Sequence, residues 1–250
     1  MLKLSDSHPQ ASPCFQLFDQ STPYTIIRCL KEEDLRSVWL LEIPGRGLTT
    51  LKRWPANWQL RWKSFFRQSQ PDRQLTGAWK LLKAGINTPQ PATPVYRAGR
   101  FYQLEMPFIE GATAYDLLKS ELPESQDLLY ELARELGKIV GRIARAGLRH
   151  RDLKLENVVV KASSQEATPL SLWLIDPVGI RSSFSLTDSL VCMLDRLAIQ
   201  PLNDGLAVPL SLQIICIQSA LGQLSGNQRR HFFQLLRKSL LGSRFRAHQI

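Results

Sequence analysis

The sequence predicts an α+β chain of two lobes, a small β-rich lobe followed by a mostly helical one. Three observations carry that prediction. Runs rich in β-branched and aromatic residues crowd residues 24–54. A long amphipathic pattern with helical spacing occupies residues 128–146. Past residue 187 the pattern is almost wholly helical.

Taken in order, residues 1–23 hold Pro9, Pro13 and Pro23 among polar residues and read as a loose leader. Strands are expected at residues 24–30, 37–43 and 48–54, with Gly45 and Gly47 making the turn between the last two. Residues 74–85 place Leu75, Ala78, Leu81 and Leu82 on one helical face, and Gly85 ends the helix. Pro89, Pro91 and Pro94 then break the chain before a strand at 101–106. Helices at 117–122 and 128–146 follow, then short strands at 157–161 and 172–176 around a polar loop. The expected division is therefore a leader at 1–23, a β-rich lobe at 24–106 and a helical lobe at 107–250.

A chain of 250 residues with 44% apolar residues can bury a sizeable core, which excludes disorder as a description of the whole. The first ten residues lack the apolar segment and cleavage site of a secretory signal. The apolar stretch at 206–221 is too short and too polar to span a bilayer and reads as a buried helix. Cys14, Cys29, Cys192 and Cys216 stand alone, as expected of a reducing cytoplasm rather than of a zinc or disulfide framework.

The net charge of +10 is unevenly spread. Residues 43–104 hold eleven basic residues and one acid, whereas residues 105–135 hold eight acids and two bases. Beyond Asp204 the chain is acid-free and carries Arg229, Arg230, Arg237, Lys238, Arg244 and Arg246. Between Lys52 and Phe66, basic residues interleave with Trp54, Trp58, Trp62 and Phe65. Two readings fit that segment equally: an anionic-ligand surface, or an amphipathic stretch with buried aromatics and solvated charges.

The sharpest chemical signal is HRDLKLENVVV at residues 150–160, between the long helix and a strand. Asp152 and Asn157 stand five residues apart, matching a phosphotransferase loop in which a carboxylate reaches an acceptor hydroxyl while an amide oxygen holds a metal ion. Lys154 lies between them, where it can neutralise a phosphoryl group in transfer. Downstream, Asp176 ends the strand in LWLIDPVGI, and upstream Lys52 sits in the third strand. A strand-end Asp or a lone Lys means little alone, but their order around the loop gives both weight.

These motifs resemble the protein-kinase-like fold, and in particular the lipopolysaccharide core kinases of the Kdo/WaaP group. The resemblance extends through LLKAGINTPQP at 81–91, QLEMPFIEGATAYDLL at 103–118 and GNQRRHFFQLLRKSLL at 226–241. It implies transfer of phosphate from ATP, with Mg²⁺, to a sugar hydroxyl of lipopolysaccharide core or a related glycan. On that basis Asp152 is the base, Lys154 stabilises the transferred group, Asn157 and Asp176 hold Mg²⁺, and Lys52 clamps the nucleotide. Adenine is expected against the segment from Glu105 to Ile109. The basic residues would then face nucleotide, phosphorylated glycolipid or an anionic membrane surface, with the enzyme cytoplasmic and peripheral on the inner membrane, and nucleic acid is disfavoured.

The sequence departs from the wider kinase pattern in three places. KEEDLRS at 31–37 has no glycine where a glycine-rich phosphate loop belongs. The helix that normally supplies a glutamate to the lysine offers Gln74 or Asp72. No peptide-docking segment follows Asp176, which favours a small or glycan acceptor. A Ser/Thr protein kinase-like enzyme and a catalytically silent pseudokinase binding module stand as the alternatives. His150 reads as a structural clamp of the loop rather than a proton carrier.

Overall fold

The computed structural model describes residues 15–33, 36–58, 62, 69–121, 126–161, 170–222 and 224–247, with side chains as far as 238. Outside these lie residues 1–14 of the leader with His8 and Cys14, and Asp34 and Leu35 of the glycine-free loop. Arg61, Lys63, Phe65, Phe66 and Arg67 of the basic aromatic segment also fall outside, as do Leu122, His248 and the side chains of Arg244 and Arg246.

The architecture is α+β, with a β-rich N-terminal region and a mostly helical C-terminal one. Strands β1 (Thr25–Glu33), β2 (Arg36–Ile43), β3 (Gly47–Pro55), β4 (Tyr96–Ala98) and β5 (Phe101–Pro107) form one antiparallel sheet in the order β1-β2-β3-β5-β4. Alternation along β3 sends Leu51 to the outer face and Lys52 inward, because successive side chains leave a strand on opposite sides. Leu51 joins Leu41 and Ile43 in an outer core. Trp54, Leu104 and Met106 form an inner one, against which Leu75 packs from helix α1 (Gln70–Lys83).

The leader is not loose where it is described. Phe15 and Leu17 are 4% and 3% exposed and complete the outer core. Their docking follows from partners far away in sequence: the Phe18 N–H donates to Glu105 Oε1 at 2.8 Å, and Arg53 stacks on Phe15 and Phe101.

α1 starts where the Ser69 side chain accepts the Asp72 N–H, with Pro71 near its first turn. Its far end leaves the β-rich lobe: Leu81, with Ile86 just beyond the helix, belongs to the large core of the helical lobe. That core gathers around α3 (Gln126–Arg145), whose buried residues Leu129, Leu132, Leu136, Val140 and Ile143 recur at helical spacing. α5 (Leu210–Leu221) packs tightly across it, since a β-carbon at Gly137 would lie 2.2 Å from the Cys216 carbonyl oxygen. The core is completed by α2 (Ala114–Glu121), α4 (Leu186–Asn203) and α6 (Gly226–Ala247).

Two small ribbons sit between the lobes. β6 (Ala112–Thr113), β8 (Val158–Lys161) and β9 (Ser171–Leu174) form one, and β7 (Leu148–His150) pairs with β10 (Ile180–Ser182) in the other. Among the described residues no helix is long and apolar enough to cross a membrane.

Candidate active site

The loop from His150 to Asn157 is held by alternate burial. Leu153 and Leu155 are 1% and 5% exposed and anchor it in the core, which turns Asp152, Lys154 and Glu156 outward. A short 3-10 turn, Leu155–Asn157, closes it through the Asn157 N–H on the Lys154 carbonyl at 3.0 Å. Asn157 Nδ2 donates back to the Asp152 carbonyl at 3.4 Å, leaving its amide oxygen for other work. The Asn157 carbonyl in turn accepts the Ile175 N–H at 3.0 Å, which ties this loop to the segment carrying Asp176.

His150 joins the same two segments through its ring. It is 1% exposed, with Nε2 3.0 Å from the Asp176 carbonyl oxygen and Nδ1 accepting the Asp152 N–H at 3.3 Å. These partners require a proton on Nε2 and none on Nδ1, the neutral imidazole. Burial holds its pKa below the ordinary 6.5, outweighing the nearby Asp176 and Asp152.

Lys52 reaches the cleft from β3. Its Nζ donates to the Ile175 carbonyl at 3.3 Å and lies 3.7 Å from Asp176 Oδ1. Gln74, fully buried on α1, stands between the two charges. With its amide oriented to face the ammonium, Oε1 accepts from Lys52 Nζ at 3.0 Å and Nε2 donates to Asp176 Oδ1 at 2.7 Å. The reverse orientation would point NH₂ at an ammonium and at Met106 Sδ, a much weaker acceptor. Gln74, not Asp72, therefore takes the position facing Lys52. A neutral amide does here what one carboxylate could not, since it accepts from the lysine and donates to the aspartate. Burial pulls the Lys52 pKa down, and Asp176 opposes that shift.

Lys52, Gln74, Asn157, Asp176 and Ile109 all line one cavity of about 450 Å³ between the lobes. Asn157 and Asp176 offer it an amide oxygen and a carboxylate, hard oxygen donors of the kind Mg²⁺ takes alongside water and phosphate oxygens. Arg28, Lys31 and Arg36 line it from the β1-β2 hairpin, the place of the missing glycine-rich loop. Sequence reading passed over these three, although Arg28 just before KEEDLRS, and Lys31 and Arg36 within it, are a signal that cationic side chains can replace backbone N–H donors.

Glu105 is placed elsewhere. Its side chain is fully buried on the outer face of the sheet, where it accepts from Tyr96 at 2.6 Å and pairs with Arg46 at 2.6 Å. Its backbone N–H donates to Thr93 Oγ1, and its carbonyl accepts the Ala92 N–H. None of these groups faces the cleft, so Glu105 is not part of it, whereas Ile109 is among the residues that line it. Trp54 is buried, while Trp58 and Trp62 are 69% and 60% exposed, so the basic aromatic segment divides between the two readings.

Asp152 and Lys154 line a second cavity of about 250 Å³. Its far wall is α4, through Arg196, Gln200 and Asn203, with Asp204 just beyond the helix. Gln200 Oε1 accepts the Glu156 N–H at 3.3 Å and fixes the loop to this wall. Lys154 Nζ lies 3.9 Å from Asp152 Oδ1. Sequence reading left these α4 residues unassigned, because they follow the loop by some forty residues and carry no motif.

No family model matches the chain. Two curated proteins do, the 3-deoxy-D-manno-octulosonic acid kinases of Vibrio vulnificus strains CMCP6 and YJ016. Each is 31% identical over 98 residues, or 39% of this chain. The match spans 38% of the length of each relative.

Proposed function

We propose that the chain is an ATP-dependent, Mg²⁺-requiring phosphotransferase whose acceptor is a hydroxyl of a sugar acid, 3-deoxy-D-manno-octulosonic acid or a related unit of lipopolysaccharide core. The observation that carries this reading is the position of the 150–157 loop between two cavities. Asn157 lines the larger one with Lys52, Gln74 and Asp176, and Asp152 lines the smaller one. A donor and an acceptor can thus meet across a single loop.

In the reaction, Asp152 accepts the proton of the acceptor hydroxyl as its oxygen bonds to the γ-phosphorus and the bond to ADP breaks. Lys154, beside Asp152, compensates the charge spread over the phosphoryl oxygens. Lys52 pairs with the nucleotide phosphates, held in place by Gln74 and the Ile175 carbonyl. Asn157 and Asp176 would hold Mg²⁺, which when bound neutralises phosphate charge. Arg28 and Arg36 add cations to the same cavity, where Lys31 is paired with Glu33 at 2.8 Å. The printed names of the two Vibrio relatives support the acceptor class, and the exposed Trp58 and Trp62 suit a peripheral place at the cytoplasmic membrane surface.

Incubating the chain with ATP, Mg²⁺ and either 3-deoxy-D-manno-octulosonic acid, its lipid-linked form or a Ser/Thr peptide tests the reading by mass. One added phosphate on the sugar acid is the expected result. Phosphorylation of the peptide alone would overturn it.

A further inference from the structure

The α4 residues that wall the smaller cavity follow the order of groups along a sugar acid. Arg196, Ile199, Gln200 and Asn203 recur at helical spacing and so share one face of α4, and Asp204 continues that face at its end. At a rise of about 1.5 Å per residue, the stripe from Arg196 to Asp204 is about 12 Å long. It begins with a cation, passes the apolar Ile199 and ends in an amide and a carboxylate.

The far end is fixed by the backbone. α4 stops at Asp204 because Gly205 takes a φ of 70°, the left-handed region that glycine enters freely. The Leu206 N–H then closes on the Pro201 carbonyl at 2.8 Å, and the Asp204 N–H donates to the Gln200 carbonyl at 3.1 Å. The side chains stay available to a ligand. Asn203 and Asp204 are exposed, and the ion pairs found among the described residues involve neither Arg196 nor Asp204. Tyr115 of α2 stands beside the Asp204 carboxylate, and that contact raises the pKa of its hydroxyl above the ordinary 10.0. One hydroxyl proton occupies only one of the acceptor positions of a carboxylate and leaves the others open.

We propose that Asn203 and Asp204 are specificity residues of the acceptor site, receiving the terminal vicinal hydroxyls of the sugar acid at the end of the stripe opposite its carboxylate. This rests on the acceptor class proposed above and adds the orientation and length of the acceptor. A carboxylate accepts from both hydroxyls of a diol at once, and the adjacent amide both donates and accepts. The acceptor's own carboxylate is drawn to Arg196 and repelled by Asp204 and by Glu156, which the loop holds against Gln200, so one orientation is favoured. In that orientation Ile199, three residues past Arg196, meets the deoxygenated methylene next but one to the carboxylate. An apolar wall at that carbon deprives no hydroxyl of its hydrogen bonds.

Initial rates with Mg-ATP, on free and on lipid-linked acceptors, compare the eight-carbon 3-deoxy-D-manno-octulosonic acid with its six-carbon homologue, which lacks the terminal two carbons and their hydroxyls. Wild type is expected to favour the longer acid in kcat/KM by at least about tenfold. Asp204→Ala is expected to bring that ratio to within about twofold of unity, chiefly by raising the KM for the longer acid. Asn203→Ala provides the same comparison if Asp204→Ala does not fold. A merely structural role would slow both acids equally and keep the ratio. An unchanged ratio in the variant, or turnover of both acids by wild type without a preference, would overturn the proposal and leave the phosphotransferase reading standing. Turnover of neither acid in either form would overturn the proposal together with the sugar-acid reading on which it rests.

Discussion

Gly77 of α1 and Pro177, the residue after Asp176, are in backbone contact: a β-carbon on Gly77 would lie 2.1 Å from the Pro177 carbonyl oxygen. The helix that carries Gln74 is thereby seated directly on the turn that carries Asp176. Two effects of Gly77→Ala oppose each other. Helix propensity favours alanine by about 1 kcal/mol, while forcing a methyl group into a backbone contact costs ~1–3 kcal/mol or more. The second wins, because the atom in the way is backbone and cannot rotate aside. Urea denaturation is expected to show a net loss of ~1–2 kcal/mol, and a variant more stable than wild type would contradict the contact.

Gln74 holds Lys52 and Asp176 at once. Gln74→Leu removes an acceptor from a buried ammonium and a donor from a carboxylate, each worth ~1 kcal/mol or more. The KM for ATP is expected to rise about tenfold, with little change in the acceptor KM. Initial rates across ATP concentrations check this, and an unchanged ATP KM would count against the bridge.

The neutral, buried His150 makes stability depend on pH. Its folded pKa lies below 6.5, so between those two values the unfolded chain binds more protons than the folded one. Stability is therefore full above pH 6.5 and is lost as the pH falls below it. Urea midpoints from pH 7.5 down to 5 are expected to decline in wild type. His150→Gln should start lower and decline less, having lost the loop contacts but also the titrating group.

Arg196 faces the smaller cavity with no ion pair to a carboxylate among the described residues. A guanidinium there can take the carboxylate of a sugar acid bidentately. Arg196→Ala is expected to raise the acceptor KM about tenfold and leave the ATP KM unchanged. An equal loss with a neutral sugar acceptor would assign Arg196 a different role.

The local grouping of the candidate residues was legible in the sequence, and long-range pairing was not. The loop at 150–157 could be read because its residues act within a few positions of one another. Lys52, Gln74 and Asp176 followed from their order around it. The strands β6, β7 and β10 are two or three residues long and pair with segments far away in sequence, and β4 is a three-residue arm of a tight hairpin with β5, so no period reveals them. Glu105 was misplaced because its face of β5 is decided by Arg46 and Phe18, 59 and 87 residues distant. The leader was judged by its prolines, whereas Phe15 and Leu17 are held by a sheet face that needed covering.

The most direct test of the account is Mg²⁺-dependent ADP formation with the sugar-acid acceptor, comparing wild type with Asp152→Asn. The variant keeps the shape of the side chain and its exposed position but cannot take the acceptor proton. Its kcat is expected to fall by about 10²–10⁴-fold with the ATP KM nearly unchanged. Equal turnover in both proteins, or none above background in wild type, would contradict the assignment of Asp152 as the base of a phosphotransferase.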